Sequence, residues 1–204
     1  YAKQLKVTGL STLDAALRET GIRTALPETE QEAVMMLTLK KGQVTANDYD
    51  KYVEEFIGKF PQAALGYKEK AMKLSNLEKY EEAAKLMDEC IKKAVKKDEA
   101  YSAYADIVYQ KTVYRGDSIY AAWNIDKAID LIRKAYNVNA QPAYKHQEAQ
   151  YCYFKGDYQQ ALSMFLDLTK TPINSGELYY EAAQAKAQLQ APANEIEVLL
   201  DSAV

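Results

Sequence analysis

The chain has 204 residues, 48% of them hydrophobic and 27% charged, a length and apolar content that can bury a large core and exclude a disordered chain. A net charge of −3 and a pI near 5.4 argue against a nucleic-acid partner, whose phosphates need a basic surface. No apolar run approaches the roughly 18–20 residues of a membrane span, so no transmembrane segment is expected.

Prolines and glycines are few and fall between stretches of helical periodicity, so every element expected is a helix. Ser11 or Thr12 can cap a short helix over Leu13–Glu19, which Gly21 would end. Leu26-Pro27-Glu28-Thr29 is a break. A helix pair follows, Glu30–Lys40 and Asn47–Lys59, with Lys41-Gly42-Gln43 closing the first member and Thr45–Asp48 capping the second. The next pair is Ala64 to about Ser75 and Tyr80–Lys93. An alanine on each member, Ala71 and Ala83, lets the two backbones approach closely, while Tyr67 and Met87 fill the flanking volume. A pair over 98–141 carries Ala105 on its first helix and Ala128, Ile132 and Ala135 on its second. The pair from Pro142 to about Thr171 carries Ala149, Tyr158, Ala161 and Phe165. A last pair, about Gly176–Leu189 and Asn194–Ser202, is helical but poorly spaced.

These pairs repeat. Leu77–Ala83 matches Lys155–Ala161, with Tyr80 answered by Tyr158, and the first-helix alanine precedes the second by twelve residues in both copies. Ala71 to Ala105 is 34 residues and Ala128 to Ala161 is 33. A period near 34 built from helix–turn–helix units resembles the tetratricopeptide repeat. The third copy departs from it: Ala83 to Ala128 is 45 residues, about 11 more than the period. Eleven residues are close to three turns at about 3.6 per turn, so both helices of this pair are expected to lengthen, with a turn near Gly116-Asp117. Its tip would carry Tyr114, Tyr120 and Trp123, either packed on the neighbouring repeat or presented to a ligand. Arg115-Gly116-Asp117 explains itself as a turn.

The resemblance implies an all-α, antiparallel helix-pair solenoid, a right-handed superhelix of about four repeats. Residues 1–29 would form an N-terminal segment with a short helix. Repeats would cover about 30–63, 64–97, 98–141 and 142–174, and a degenerate or capping pair would cover 175–204. It also implies a scaffold whose first helices line a concave face. In register, that face carries Lys68, Met72, Ser75 and Asn76, then Ser102, Asp106 and Tyr109, then His146, Gln150 and Tyr153, then Tyr180, Gln184 and Gln188. The ligand contacts expected are Met72, Asp106, Tyr109, His146, Gln150, Tyr153 and Tyr180, and the partner expected is another protein or peptide. Members of the family that grip acidic chaperone tails use a basic clamp. Here Lys68 matches one clamp lysine, but Met72, Glu99, Ala103, Ala143 and Gln147 stand at the other positions, so that ligand is not expected.

Nothing in the sequence composes a catalytic site. One histidine, His146, argues against a histidine-based metal cluster, and there is no phosphate-cradling glycine loop or cysteine pair at metal spacing. No cofactor is expected. Cys90 and Cys152 read as small buried apolar residues rather than a disulfide. The alternative function is an exported helical glycan- or solute-binding protein that stacks sugars on those of the chain's 17 tyrosines that lie at the surface. The tyrosine-rich groove and the start at Tyr1 favour an exported or periplasmic location over a cytoplasmic one.

Overall fold

A computed structural model describes residues 26–115, 122–171 and 175–203. Among these residues there are ten α-helices and no strand. They are α1 (Glu30–Lys40), α2 (Ala46–Lys59), α3 (Ala64–Asn76), α4 (Tyr80–Lys93), α5 (Lys97–Arg115), α6 (Ile125–Val138), α7 (Pro142–Lys155), α8 (Tyr158–Leu168), α9 (Ser175–Gln188) and α10 (Ala193–Ser202). The helix expected over Leu13–Glu19 lies outside the described residues. No helix among the described residues is long and apolar enough to cross a membrane. The chain divides into two compact units between Phe56 and Ile57.

The first unit owes its helix starts to threonines. The Thr29 hydroxyl accepts from the Glu32 backbone N–H at 3.4 Å and donates to the Glu32 carboxylate at 2.8 Å. Thr45 does the same with Asp48, at 3.2 and 2.7 Å. In each case an orphan donor of the first turn is satisfied. Gly42, at φ 77°, turns the chain between the two helices. Ala33, Met36 and Leu37 on α1 and Tyr52, Val53 and Phe56 on α2 are buried, at the three- and four-residue spacing of one helix face.

In the second unit each helix packs on the next, so α3 to α10 form four consecutive helix pairs, and α5 also lies beside α3 and α7. The paired alanines sit where expected. Ala71 with Ala83, Ala105 with Ala128, and Ala149 with Ala161 are all fully buried. Tyr67, Met87, Ile132 and Phe165 close the space around them and belong to one continuous core. Cys90 and Cys152 are free thiols in that core.

The turn inside each regular pair is the same device three times. Glu78, Gly156 and Gln190 have φ of 63°, 89° and 56°. At each, the amide of the left-handed residue donates back three residues: Glu78 to Ser75, Gly156 to Tyr153 and Gln190 to Ala187, at 3.2, 3.0 and 3.0 Å. The following amide donates back five: Lys79 to Leu74, Asp157 to Cys152 and Ala191 to Lys186, at 2.9, 3.0 and 3.3 Å. These bonds satisfy the last carbonyls of the first helix and reverse the chain.

Two sequence expectations need correction. The 11 extra residues of the third pair do not lengthen both helices. The first, α5, grows to 19 residues, while α6 keeps 14, the length of α4. The start of α6 is pinned. Asn124 accepts the Lys127 N–H at 2.9 Å as its cap. Beside it Trp123 is buried, edge-on to Tyr80 and Tyr104, with its indole N–H donating to the Tyr104 hydroxyl at 3.3 Å. Trp123 is therefore core, not a tip residue. Gly116-Asp117, Tyr120 and the side chain of Tyr114 lie outside the described residues.

The last pair also keeps the period better than its sequence indicated. Ala183 follows Ala149 by 34 residues and Leu199 follows Phe165 by 34, and both are buried. Glu195 stands where the second alanine would be, with its carboxylate paired to Lys186 at 2.8 Å, and that substitution hides the repeat.

Candidate functional site: the first-helix face of the second unit

The first helices α3, α5, α7 and α9 present the residues expected to meet a ligand. The side chains resolve into a polar seam and an aromatic ledge.

The seam is centred on Asp106 of α5. One carboxylate oxygen takes the Lys68 ammonium of α3 at 2.6 Å. The other accepts from Gln147 at 3.2 Å and from the Tyr151 hydroxyl at 3.1 Å, both on α7. The Ser102 hydroxyl donates to Gln147 at 3.2 Å. Burial, and then the Asp106 charge and hydrogen bond, push the Tyr151 phenol well above its ordinary pKa, so it stays a donor. Both oxygens of Asp106 are thus occupied by neighbouring repeats, and its first task is to join them. Lys111 of α5 reaches back to Asn76 of α3 in the same manner.

Between α7 and α9 the connector is Glu181. His146 Nε2 lies 2.5 Å from one of its oxygens, and the Gln150 amide donates to the other at 2.7 Å. The hydrogen bond to Glu181 raises the His146 pKa against the lowering effect of burial. Glu177, one turn earlier on α9, completes a group in which one ligand atom from each of His146, Glu177 and Glu181 lies within 4.8 Å of the others. Counting histidines pointed away from any such group, because the carboxylate partners come from a helix 31 or more residues further on.

The ledge is built on Tyr109. Its ring stacks on Tyr151 at 4.4 Å between centroids and meets the Phe154 edge at 5.1 Å. Phe154 in turn lies 6.0 Å from Tyr153, which packs edge-on against Tyr158 at 5.2 Å. Phe154 is 52% exposed, although it is a large apolar ring.

The structure therefore brings Tyr109 and Tyr153 together through Phe154, and His146 and Gln150 together through Glu181. Met72 and Tyr180 belong to neither cluster. Met72 is half-buried against the core, with its sulfur 3.8 Å from the Ser75 hydroxyl, and Tyr180 is 52% exposed on α9. Phe154 was missed, and the signal was present: it stands 78 residues after Asn76, the same offset as Ala149 after Ala71, so it shares Asn76's register. Glu148 was missed as well. It is buried with one oxygen on Arg133 Nε at 2.6 Å and the other on Lys145 Nζ at 2.7 Å. Lys145 also lies over the Tyr136 ring at 4.6 Å.

No protein-family profile and no curated protein matches the sequence. Solved structures do. PilW, described as a widely conserved type IV pilus biogenesis factor, superposes with a TM-score of 0.66 at 11% identity, over 98% of this chain and 86% of its own. MamA gives 0.59 at 11% identity, over 86% and 90%. YrrB, described as a TPR protein with an unusual peptide-binding site, gives 0.55 at 14% identity, over 93% and 89%. The chain has the all-α helix-pair solenoid fold of these tetratricopeptide-repeat proteins.

Proposed function

We propose, with the tetratricopeptide-repeat fold as the premise, that this protein is a non-enzymatic interaction scaffold. It holds an extended peptide or a partner helix against the face formed by α5, α7 and α9. The observation that carries this reading is Phe154, a half-exposed ring supported by Tyr109 and flanked by Tyr153. Covering the exposed half of the Phe154 ring on binding is worth about 1 kcal/mol. Tyrosines beside it add contact area with a polar tip and little rotamer loss. The peptide-binding description of YrrB, which shares the fold, points the same way.

The proposed contacts are Tyr109 and Tyr153, joined by Phe154, and the separate Tyr180, with His146 and Gln150 on the polar side and Met72 at the margin. Asp106 acts mainly by holding Tyr151 beneath Tyr109. The complementary ligand is a chain with apolar or aromatic side chains and hydrogen-bonding backbone, rather than an acidic tail.

The test is selection of peptides from a displayed library on the immobilised chain, followed by titration of the selected peptide. Phe154→Ala and Tyr180→Ala should each weaken it by about 10-fold or more, with helicity unchanged. Peptides that bind both variants as well as the wild type would overturn the assignment to this face. Failure to select any peptide, with a thermal shift produced by soluble oligosaccharides and lost in Tyr180→Ala, would replace it by sugar stacking on the exposed tyrosine.

A further inference from the structure

We propose that His146, Glu177 and Glu181 form a binding site for a divalent cation of the zinc class at the junction of α7 and α9. The inference stands on these side chains alone and does not depend on peptide binding.

The first argument is position. Glu177 and Glu181 are four residues apart on α9, and so share a face of that helix. His146 faces them from α7, and the three ligand atoms already lie within 4.8 Å of one another. A tetrahedral zinc ion with bonds of about 2.1 Å holds its ligand atoms about 3.4 Å apart. Glu177 is exposed and can rotate inwards. His146 and Glu181 are largely enclosed.

The second argument is support from the surroundings. Gln150 donates to one oxygen of Glu181, which leaves the other directed at His146. The imidazole is set edge-on against Phe165 at 6.1 Å. Metal ligands held in place by a second layer of hydrogen bonds and packing are the ones that bind well.

The third argument is charge. Among the described residues, neither Glu177 nor Glu181 is paired with a lysine or arginine. Lys145 is committed to Glu148, and Lys186 to Glu195. Two carboxylates one turn apart, with one imidazole between them and the neighbouring repeat, carry more negative charge than the protein neutralises. The space between His146 Nε2 and the Glu181 oxygen, 2.5 Å apart, is the place that a cation would open and take. On binding, any proton held by the ligand atoms leaves to solvent and both atoms turn to the metal.

The ligand chemistry selects the ion. An imidazole nitrogen favours zinc, cobalt or nickel over magnesium and calcium, which prefer oxygen alone. Three protein ligands leave at least one position for water.

The experiment is calorimetric titration of ZnCl2 into untagged, chelator-stripped protein in a non-coordinating buffer, with MgCl2 as the comparison. The wild type should bind one zinc with Kd of about 10 μM or tighter and release protons, and magnesium should give no site. His146→Ala and Glu181→Gln should weaken zinc by about 100-fold, and Glu177→Gln by about 10-fold. Glu177→Gln alters an exposed side chain, so it reads out the site even if the other two variants disturb the α7–α9 contact. A Co2+ visible spectrum should be lost in step with zinc affinity. Absence of a one-to-one site, or equal affinity in Glu177→Gln and wild type, would overturn the three-ligand site.

Discussion

Glu78 and Gly156 occupy the same left-handed turn in two different repeats, with φ of 63° and 89°. Glycine adopts that conformation without the steric penalty of a Cβ, which is roughly 1–2 kcal/mol for other residues. Glu78→Gly should therefore stabilise the protein by about 0.5–1 kcal/mol after the greater freedom of glycine in the unfolded chain is subtracted. Gln190→Gly should act alike. A Cβ added at Gly156 meets nothing within 4 Å, so Gly156→Ala should lose about 1 kcal/mol through the backbone alone. Urea unfolding of the three variants checks both signs.

Glu148 is a buried carboxylate held by two cations, Arg133 and Lys145, that remain partly in water. Removing either cation should cost about 1–2 kcal/mol, less than for a wholly enclosed pair because the surviving cation and solvent still screen the charge. Glu148→Leu supplies an apolar side chain in place of the carboxylate, and should be near neutral. In that background Arg133→Ala should have little effect. A double-mutant cycle read by chemical denaturation tests the coupling.

Asp98 is buried at the start of α5 and accepts from Asn139 at 2.8 Å and from the Tyr144 hydroxyl at 3.0 Å. Burial raises its pKa, but these bonds and backbone N–H groups outweigh it and leave the carboxyl below its ordinary value. With the folded value lower than the unfolded one, its stabilisation is complete above about pH 4 and is lost as acid protonates it. The melting temperature should fall less steeply below pH 4 in Asp98→Asn than in the wild type. At the alkaline end, burial and then Asp98 push the Tyr144 phenol up to about 12. That contribution is present below about pH 10 and disappears as the pH rises through the folded value. Tyr144→Phe should flatten this limb.

Burial pushes the Cys90 thiol up to about 12 and the Cys152 thiol up to about 11. Neither offers thiolate at neutral pH. A disulfide-exchange reagent should modify neither in the folded protein within minutes, and both after unfolding, as counted by mass spectrometry.

The helix-pair plan was legible because it rests on spacing. Ala71, Ala83, Ala149 and Ala161 recur at intervals that only close helix contact explains, and they mark the core without reference to anything distant. The face was legible as a row of positions but not as a set of contacts. Asp106 and Lys68 are both groove positions by register, yet they bind each other across 38 residues of sequence. Such pairings follow from the stacking of repeats and leave no periodic trace. The same is true of His146 and Glu181. That α5 lengthens while α6 does not depended on Trp123 finding Tyr80 and Tyr104, a packing event with no local signature.

The carboxylates that join the repeats have a consequence for how this chain can change. Asp98 binds Asn139 and Tyr144, Asp106 binds Lys68 and Tyr151, Glu148 binds Arg133, and Glu181 binds His146. Within the second unit each junction has its own lock, and no two are alike. Arrays whose units meet through interchangeable apolar surfaces can gain, lose or exchange a unit with little penalty. Here a duplicated or transposed helix pair would set a partly buried carboxylate against the wrong partner. The order of the units is thus inscribed in the interior, and the array is open to point substitution but closed to reshuffling.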